Sequence, residues 1–121
     1  LVIIDYKTGT MPNKSDAISG DKPQLSIEAA IGLHDGFDLN TTNITKMSFW
    51  KLDGKAEGGS IIDIAKSTEE VQTAVNNMLE KLVQAAIEYN INGEAYNINL
   101  HAQYDAPYKH LARVKEWCNA E

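Results

Sequence analysis

Leu1-Val2-Ile3-Ile4-Asp5-Tyr6-Lys7-Thr8-Gly9 opens the chain. Four apolar residues, two of them β-branched isoleucines, are followed by a carboxylate and an ammonium two positions apart, and then by a glycine. That order predicts a buried strand whose far end becomes polar where it reaches a site. Alternation along a strand sends Asp5 and Lys7 to the same face, about 7 Å apart along the backbone. A carboxylate so placed can hold a hard divalent cation such as Mg²⁺, and the ammonium beside it can orient an attacking water. The same triplet also suits an ion pair at a sheet edge, the commoner outcome for such residues.

Outward from this strand, residues 8 to 20 carry Gly9, Pro12, Asn13 and Gly20 and read as a polar loop. A helix is expected from Pro23 to about Asp35, with Asp21 as N-cap and Gly36 as stop. Leu25, Ala29 and Leu33, beside Ile27, Ala30 and Ile31, would form its wide buried face. Ile44 to Leu52 reads as a strand that changes face or carries a bulge. Asp53-Gly54 and Gly58-Gly59 bracket a turn into Ile61 to Ala65, so a β-hairpin is expected.

Ser67 with Glu70 three residues on has the pattern of a capping box opening a long helix to about Tyr89. Val71, Val75, Met78, Leu82, Ala86 and Tyr89 fall on one stripe of that helix, expected to face the core. Glu69 and Glu70 sit in its first turn, where the helix dipole favours them. Beyond Gly93, Tyr96 to Leu100 suggests a short strand and His110 to Trp117 a last helical turn or two. The 121 residues, 43% hydrophobic, suit a single domain over residues 1–121.

Composition excludes several function classes. No apolar run approaches the roughly 18 residues that cross a bilayer. The single cysteine, Cys118, permits no internal disulfide and fits a reducing cytoplasm. His34, His101 and His110 lack the spacing of a zinc site. A formal charge of −6 argues against a sequence-independent nucleic-acid binder, whose affinity comes from Lys and Arg on phosphates; metal-dependent nuclease sites, though, are themselves acidic. Lys7-Thr8-Gly9 matches the Lys-Thr-Gly element of serine β-lactamases, but the one Ser-x-x-Lys match, Ser19 to Lys22, follows it and falls in a loop. A phosphate-binding loop over Gly9 to Ser15 fails for want of a second glycine before the lysine and of a helix starting at Ser15.

Ile3-Ile4-Asp5-Tyr6-Lys7-Thr8-Gly9, with the Pro-containing loop, Gly20 and Pro23-Gln24-Leu25, resembles the PD-(D/E)xK nuclease domain of RecB-like exonucleases, in the form carried by AddB-type helicase-nuclease subunits. Met47-Ser48-Phe49-Trp50-Lys51-Leu52 and Tyr108-Lys109-His110-Leu111-Ala112-Arg113-Val114-Lys115-Glu116-Trp117 are similar to the alphaproteobacterial type. The resemblance implies a partial restriction-endonuclease-like α/β fold, a mixed β-sheet flanked by helices with the first strands of the domain missing. It implies Asp5 as metal ligand, Lys7 as catalytic lysine and Gln24 as the glutamine of a Gln-x-x-x-Tyr helix motif that supports the site or contacts DNA. Glu28 stands where that motif has tyrosine.

Further expectations follow from the resemblance: Mg²⁺ as cofactor, DNA as substrate in double-strand break repair, an AddA-like partner subunit and a bacterial cytoplasmic location. The family's other metal-binding Asp lies on the preceding strand, so this chain is expected to be inactive in isolation. The alternative is a catalytically inactive remnant with a structural or partner-binding role. An unpaired edge along Leu1 to Tyr6 would invite a homo-oligomer.

Overall fold

A computed structural model describes residues 1–38, 43–54, 56 and 58–95. The strand expected at Tyr96 to Leu100, the helical turns at His110 to Trp117, and His101, His110 and Cys118 lie outside the described residues. The chain divides into two compact units, Leu1–Ala85 and Ala86–Glu121.

The first unit is mixed α/β. Strand β1 (Val2–Lys7) is followed by helices α1 (Lys14–Ser19) and α2 (Gln24–Leu33), strands β2 (Lys46–Lys51) and β3 (Ser60–Ala65), and helix α3 (Thr68–Ala86). The described strands form one sheet in the order β1-β2-β3. β1 and β2 run parallel, with Ile3 opposite Met47, Asp5 opposite Phe49 and Lys7 opposite Lys51. A parallel pair needs a crossover, here the segment carrying α1 and α2. β2 and β3 form the expected antiparallel hairpin, and the expected bulge falls between Met47 and Ser48.

Period-two alternation puts Ile3, Asp5 and Lys7 on one face of β1 and Val2, Ile4 and Tyr6 on the other. On the second face the Tyr6 and Trp50 rings meet edge to face, 5.9 Å between centroids and 84° between planes, the arrangement that the ring quadrupoles favour. The core lies on the first. Ile3, Leu25, Ala29, Ile44, Met47, Phe49, Ile64, Val71, Ala74 and Val75 form one buried cluster joining β1, β2, β3, α2 and α3.

Five expectations are corrected. The polar loop contains α1: Asn13 Oδ1 accepts from Asp16 N at 2.8 Å as its N-cap, and Gly20 closes it in the left-handed region at φ 85°. The signal was present in Asn13 and Gly20, but six residues give too little periodicity to read. A helix therefore does begin beside Ser15, and the case against a phosphate-binding loop now rests on the missing glycine. Gly20 is required twice over, because a Cβ there would also come within 3.1 Å of Met78 Cα in α3.

Asp21 does not cap α2. Pro23 holds the cap position without a side-chain hydrogen bond, while Asp21 accepts from Ser19 Oγ at 2.6 Å and pairs with Lys81 Nζ of α3 at 2.6 Å. A full opposite charge within reach outcompetes the neutral N–H of a helix end.

The buried face of α2 is also narrower than its apolar residues suggest. Leu25, Ser26, Ala29 and Gly32 face inward, whereas Ile27 and Ile31 are exposed and Ala30 is half-buried. Small residues let the helix approach the sheet closely, so the packing surface follows Ser26 and Gly32 and not the bulkiest side chains. At the C-terminus, Asp35 and not Gly36 takes the left-handed conformation, at φ 58°. Asp35 N donates to Gly32 O at 3.2 Å and Gly36 N to Ile31 O at 2.8 Å, the paired bonds of a Schellman motif.

The stripe of α3 is buried only in its first half. Val71, Val75 and Met78 are buried, with Ala74 beside them, but Leu82, Ala86 and Tyr89 are exposed. Past Lys81 the helix extends beyond the described elements that cover it. Ser67 caps the start, accepting from Glu70 N at 3.3 Å, and Glu70 reaches back to Lys66 N at 2.8 Å. In the second unit the described residues carry a π-helical turn, Ile87–Ile91.

Three surface carboxylates are held below their ordinary range: Asp21 by its hydrogen bonds to Lys81 and Ser19, Asp63 by Lys46 and then Lys66, and Glu69 by backbone and Ser67 hydrogen bonds at the helix start. Each stabilises the fold above the carboxylate's unfolded value, about 4. That contribution is lost as pH falls through the lower folded value. Thermal melts should therefore be flat from pH 5 to 8 on this account and fall below about pH 4. Asp63→Asn should flatten part of the acid limb, and an unchanged limb would count against the assignment.

Among the described residues no helix is long and apolar enough to cross a membrane.

Candidate functional site

Asp5, Lys7 and Gln24, the three residues singled out in the sequence, come together at the end of β1. Strand alternation supplies the first two. The third stands at the first position of α2, where the helix starts over the same face of the sheet. Its side-chain amide bridges the pair: Gln24 Nε2 donates to Asp5 Oδ1 at 2.8 Å, and Gln24 Oε1 accepts from Lys7 Nζ at 2.6 Å. Lys7 Nζ also lies 2.8 Å from Asp5 Oδ2. The three side chains thus close a ring of contacts.

The polarity of the amide is fixed by charge. Turning it over would set its oxygen against the Asp5 carboxylate and its NH₂ against an ammonium, replacing two favourable contacts with two repulsive ones. Glu28 adds to the same preference. One turn along α2, it accepts weakly from Gln24 Nε2 at 3.4 Å. Glu28 therefore contributes a second negative charge beside the amide.

Beneath the ring is Phe49, fully buried and directly opposite Asp5 in register. The Lys7 ammonium sits 5.5 Å from the centre of its ring, within the range of a cation–π attraction. Leu52 N donates to Lys7 O at 2.8 Å, holding the strand end against the residue that follows β2. Lys7 is anchored through both its backbone and its head group.

The side chains of Lys7 and Asp5 retain 26% and 15% of their exposure, so the ion pair is partly shielded from solvent and its charges are less screened by salt than a fully exposed pair's. Asp5 Oδ2 is buried, and Lys7 approaches it as an ion pair and not along a directed hydrogen bond. Among the described hydrogen bonds, this oxygen has no donor.

A Mg²⁺ site asks for near-octahedral oxygens, commonly one or two carboxylates with waters and substrate phosphates. The described residues supply Asp5, already facing an ammonium, and Glu28, tied to Gln24. No group of three or more His, Cys, Asp or Glu side chains able to hold a metal ion occurs among the described residues. They do not complete a Mg²⁺ site. The arrangement holds an ammonium beside a carboxylate at a sheet end, bridged by one side-chain amide.

Comparison with known proteins places the chain beside long relatives in one bacterial genus. An uncharacterized protein of Rickettsia bellii is 30% identical over 126 aligned positions, covering 92% of this chain and 14% of that protein. One of Rickettsia felis is 40% identical over 68 residues, 56% of this chain and 8% of that protein. A third, of Rickettsia typhi, is 44% identical over 41 residues, 34% of this chain and 5% of that protein. The chain thus spans less than a sixth of the length of the relatives it matches. No family model matches it, and no solved structure does.

Proposed function

We propose that this chain forms the C-terminal part of a PD-(D/E)xK-type nuclease domain of the RecB-like, AddB-type family, acting on DNA ends in double-strand break repair. The observation that carries this reading is the Gln24 amide bridging Asp5 and Lys7, since it unites the Asp-x-Lys strand and the glutamine helix in one site. The parallel β1–β2 pair with its helical crossover supports a restriction-endonuclease-like core.

In this reading Lys7 faces the scissile phosphate, where a fixed ammonium stabilises the charge that accumulates as a phosphodiester is attacked. Gln24 holds that ammonium in place, and Asp5 keeps it aligned. Mg²⁺ chemistry needs at least one carboxylate from outside the described residues. DNA grip likewise needs cationic surface that a chain of net charge −6 does not offer in excess. An AddA-like subunit in a bacterial cytoplasm is the partner this reading implies.

A second reading is favoured by one specific observation: Asp5 is already neutralised by Lys7. A nuclease-fold remnant, inactive and retained for structure or partner contact, would carry such a self-satisfied pair at no functional cost.

Hydrolysis of linear double-stranded DNA with Mg²⁺ separates the two. This chain alone should leave the DNA intact. Within the longer polypeptide of the proposed nuclease, Lys7→Ala should lower the rate by about 100-fold or more, the usual scale for losing a positioned charged group. An active longer polypeptide indifferent to Lys7→Ala would remove the nuclease assignment of this site, and an inactive one would leave the remnant reading.

A further inference from the structure

We infer that the Asn92–Gly93 step is a site of spontaneous deamidation, at which the folded chain acquires a new carboxylate at the end of its π-helical turn. Asparagine is a chemically labile residue, and this reaction needs only water. Gly93 N attacks the side-chain amide carbon of Asn92 and forms a new C–N bond. The C–NH₂ bond breaks, and ammonia leaves with the proton that Gly93 N gives up. Water then adds to one carbonyl of the resulting succinimide and opens the ring. Opening on one side yields aspartate in the ordinary backbone. Opening on the other yields isoaspartate, with the backbone routed through the side-chain carboxyl.

A glycine hinders the attacking nitrogen least, and Asn92–Gly93 is the one Asn-Gly pair in the sequence. Both residues are exposed, so water reaches the step. The nucleophile is uncommitted: Gly93 N has no acceptor among the described hydrogen bonds, whereas Asn92 N donates to Ile87 O at 2.9 Å and Glu94 N to Glu88 O at 3.0 Å. Gly93 takes φ 69°, and a Cβ there would meet nothing within 4 Å, so the peptide can turn without disturbing any packing. At Asn92, ψ of −16° holds Gly93 N away from the side chain. Ring closure therefore requires that peptide to rotate, at the expense of the Glu94 N to Glu88 O bond. Bonds at such exposed ends are the first to open.

Asp35–Gly36 has the opposite setting. Gly36 N is already bound to Ile31 O at 2.8 Å in the Schellman motif, so a nitrogen in the same place beside a glycine is withheld from attack. The product at position 92 alters its surroundings, because a carboxylate at a helix C-terminus opposes the dipole. Isoaspartate also adds a methylene to the backbone between the two donors, Asn92 N and Glu94 N, that tie the turn to Ile87 and Glu88.

Incubation of the full chain at neutral pH and physiological temperature, followed by peptide mapping with mass spectrometry, tests this. A gain of one dalton should appear over days in the peptide carrying Asn92, as two products that separate by chromatography. Asn92→Gln, whose longer side chain would have to close a larger and slower-forming ring, should abolish it. Asp35→Asn sets the same dipeptide in the Schellman motif, and asparagine tolerates the left-handed backbone there. Position 35 of that variant should stay intact in the folded chain and deamidate in urea. An Asn92 that persists unchanged in the folded chain would overturn the inference. So would deamidation at position 35 of the folded Asp35→Asn variant as fast as at Asn92, with its melt showing that it is folded.

Discussion

Phe49→Ala is expected to destabilise the chain by about 3–5 kcal/mol, the usual cost of emptying a fully buried phenylalanine position. Phe49 has no solvent exposure and lies in the central strand of the described sheet, opposite Asp5 on one side and Ile62 on the other. Its ring belongs to the cluster shared with Ile3, Met47 and Leu25, so the cavity would open where β1, β2 and α2 converge. The backbone there is held in a parallel ladder on one side and an antiparallel ladder on the other, and cannot collapse far to fill it. The midpoint of urea unfolding should fall with little change in slope. Phe49→Leu, which keeps most of the volume, should cost less than about 1.5 kcal/mol. A loss under about 1 kcal/mol for the alanine variant would show that this position is not the centre of the core. Because the ring also underlies the Lys7 ammonium, Phe49→Leu should loosen Lys7 while leaving the fold intact.

Gly59→Ala should be nearly as damaging for a different reason. A Cβ on Gly59 would overlap the Lys51 carbonyl oxygen, a backbone atom at the end of β2. No side-chain rotation relieves such a contact, so the hairpin must shift where Lys51 pairs with Ser60. Overpacking of this kind costs on the order of 3 kcal/mol, with local fraying of the strand end setting the upper limit. Circular dichroism melts would register the loss. Gly54→Ala, where a Cβ meets nothing within 4 Å, is the matched control and should melt within a degree or two of the unsubstituted chain. Equal melting of the two variants would show that the hairpin end is not constrained as described.

These effects bear on what the sequence made readable. Local patterns were readable because their causes are local: the apolar run of β1, the same-face placement of Asp5 and Lys7, the hairpin and the Ser67 cap all follow from residues a few positions apart. The misread features depend on distant partners. Asp21 has the composition of a cap and leaves that role because Lys81, far along the chain, offers a full charge. Ile27 and Ile31 have the composition of core residues and stay exposed because Ser26 and Gly32 decide how α2 rests on the sheet. Leu82 continues a regular stripe past the described elements that cover α3. At the site, Asp5 and Lys7 were legible from alternation alone. Gln24 was legible only through family resemblance, since no local rule says which helix residue will meet a strand end. The Gln24–Glu28 contact is local, an i,i+4 pair on α2 that helical spacing alone brings together.

The parallel pairing of β1 has a consequence for the order in which the molecule assembles. β2 meets β3 across a short turn, with Lys51 opposite Ser60, whereas β1 joins the sheet only by closing a span from Val2 to Lys46. Closing the longer loop costs roughly 1 kcal/mol more chain entropy, and long-range contacts of this kind are gained late in folding. Hairpin and α3 can form while β1 is still free, but Asp5 and Lys7 then have neither Phe49 beneath them nor Gln24 above. The closed ring, with Gln24 across it and Phe49 beneath it, is thus completed only when β1 has docked.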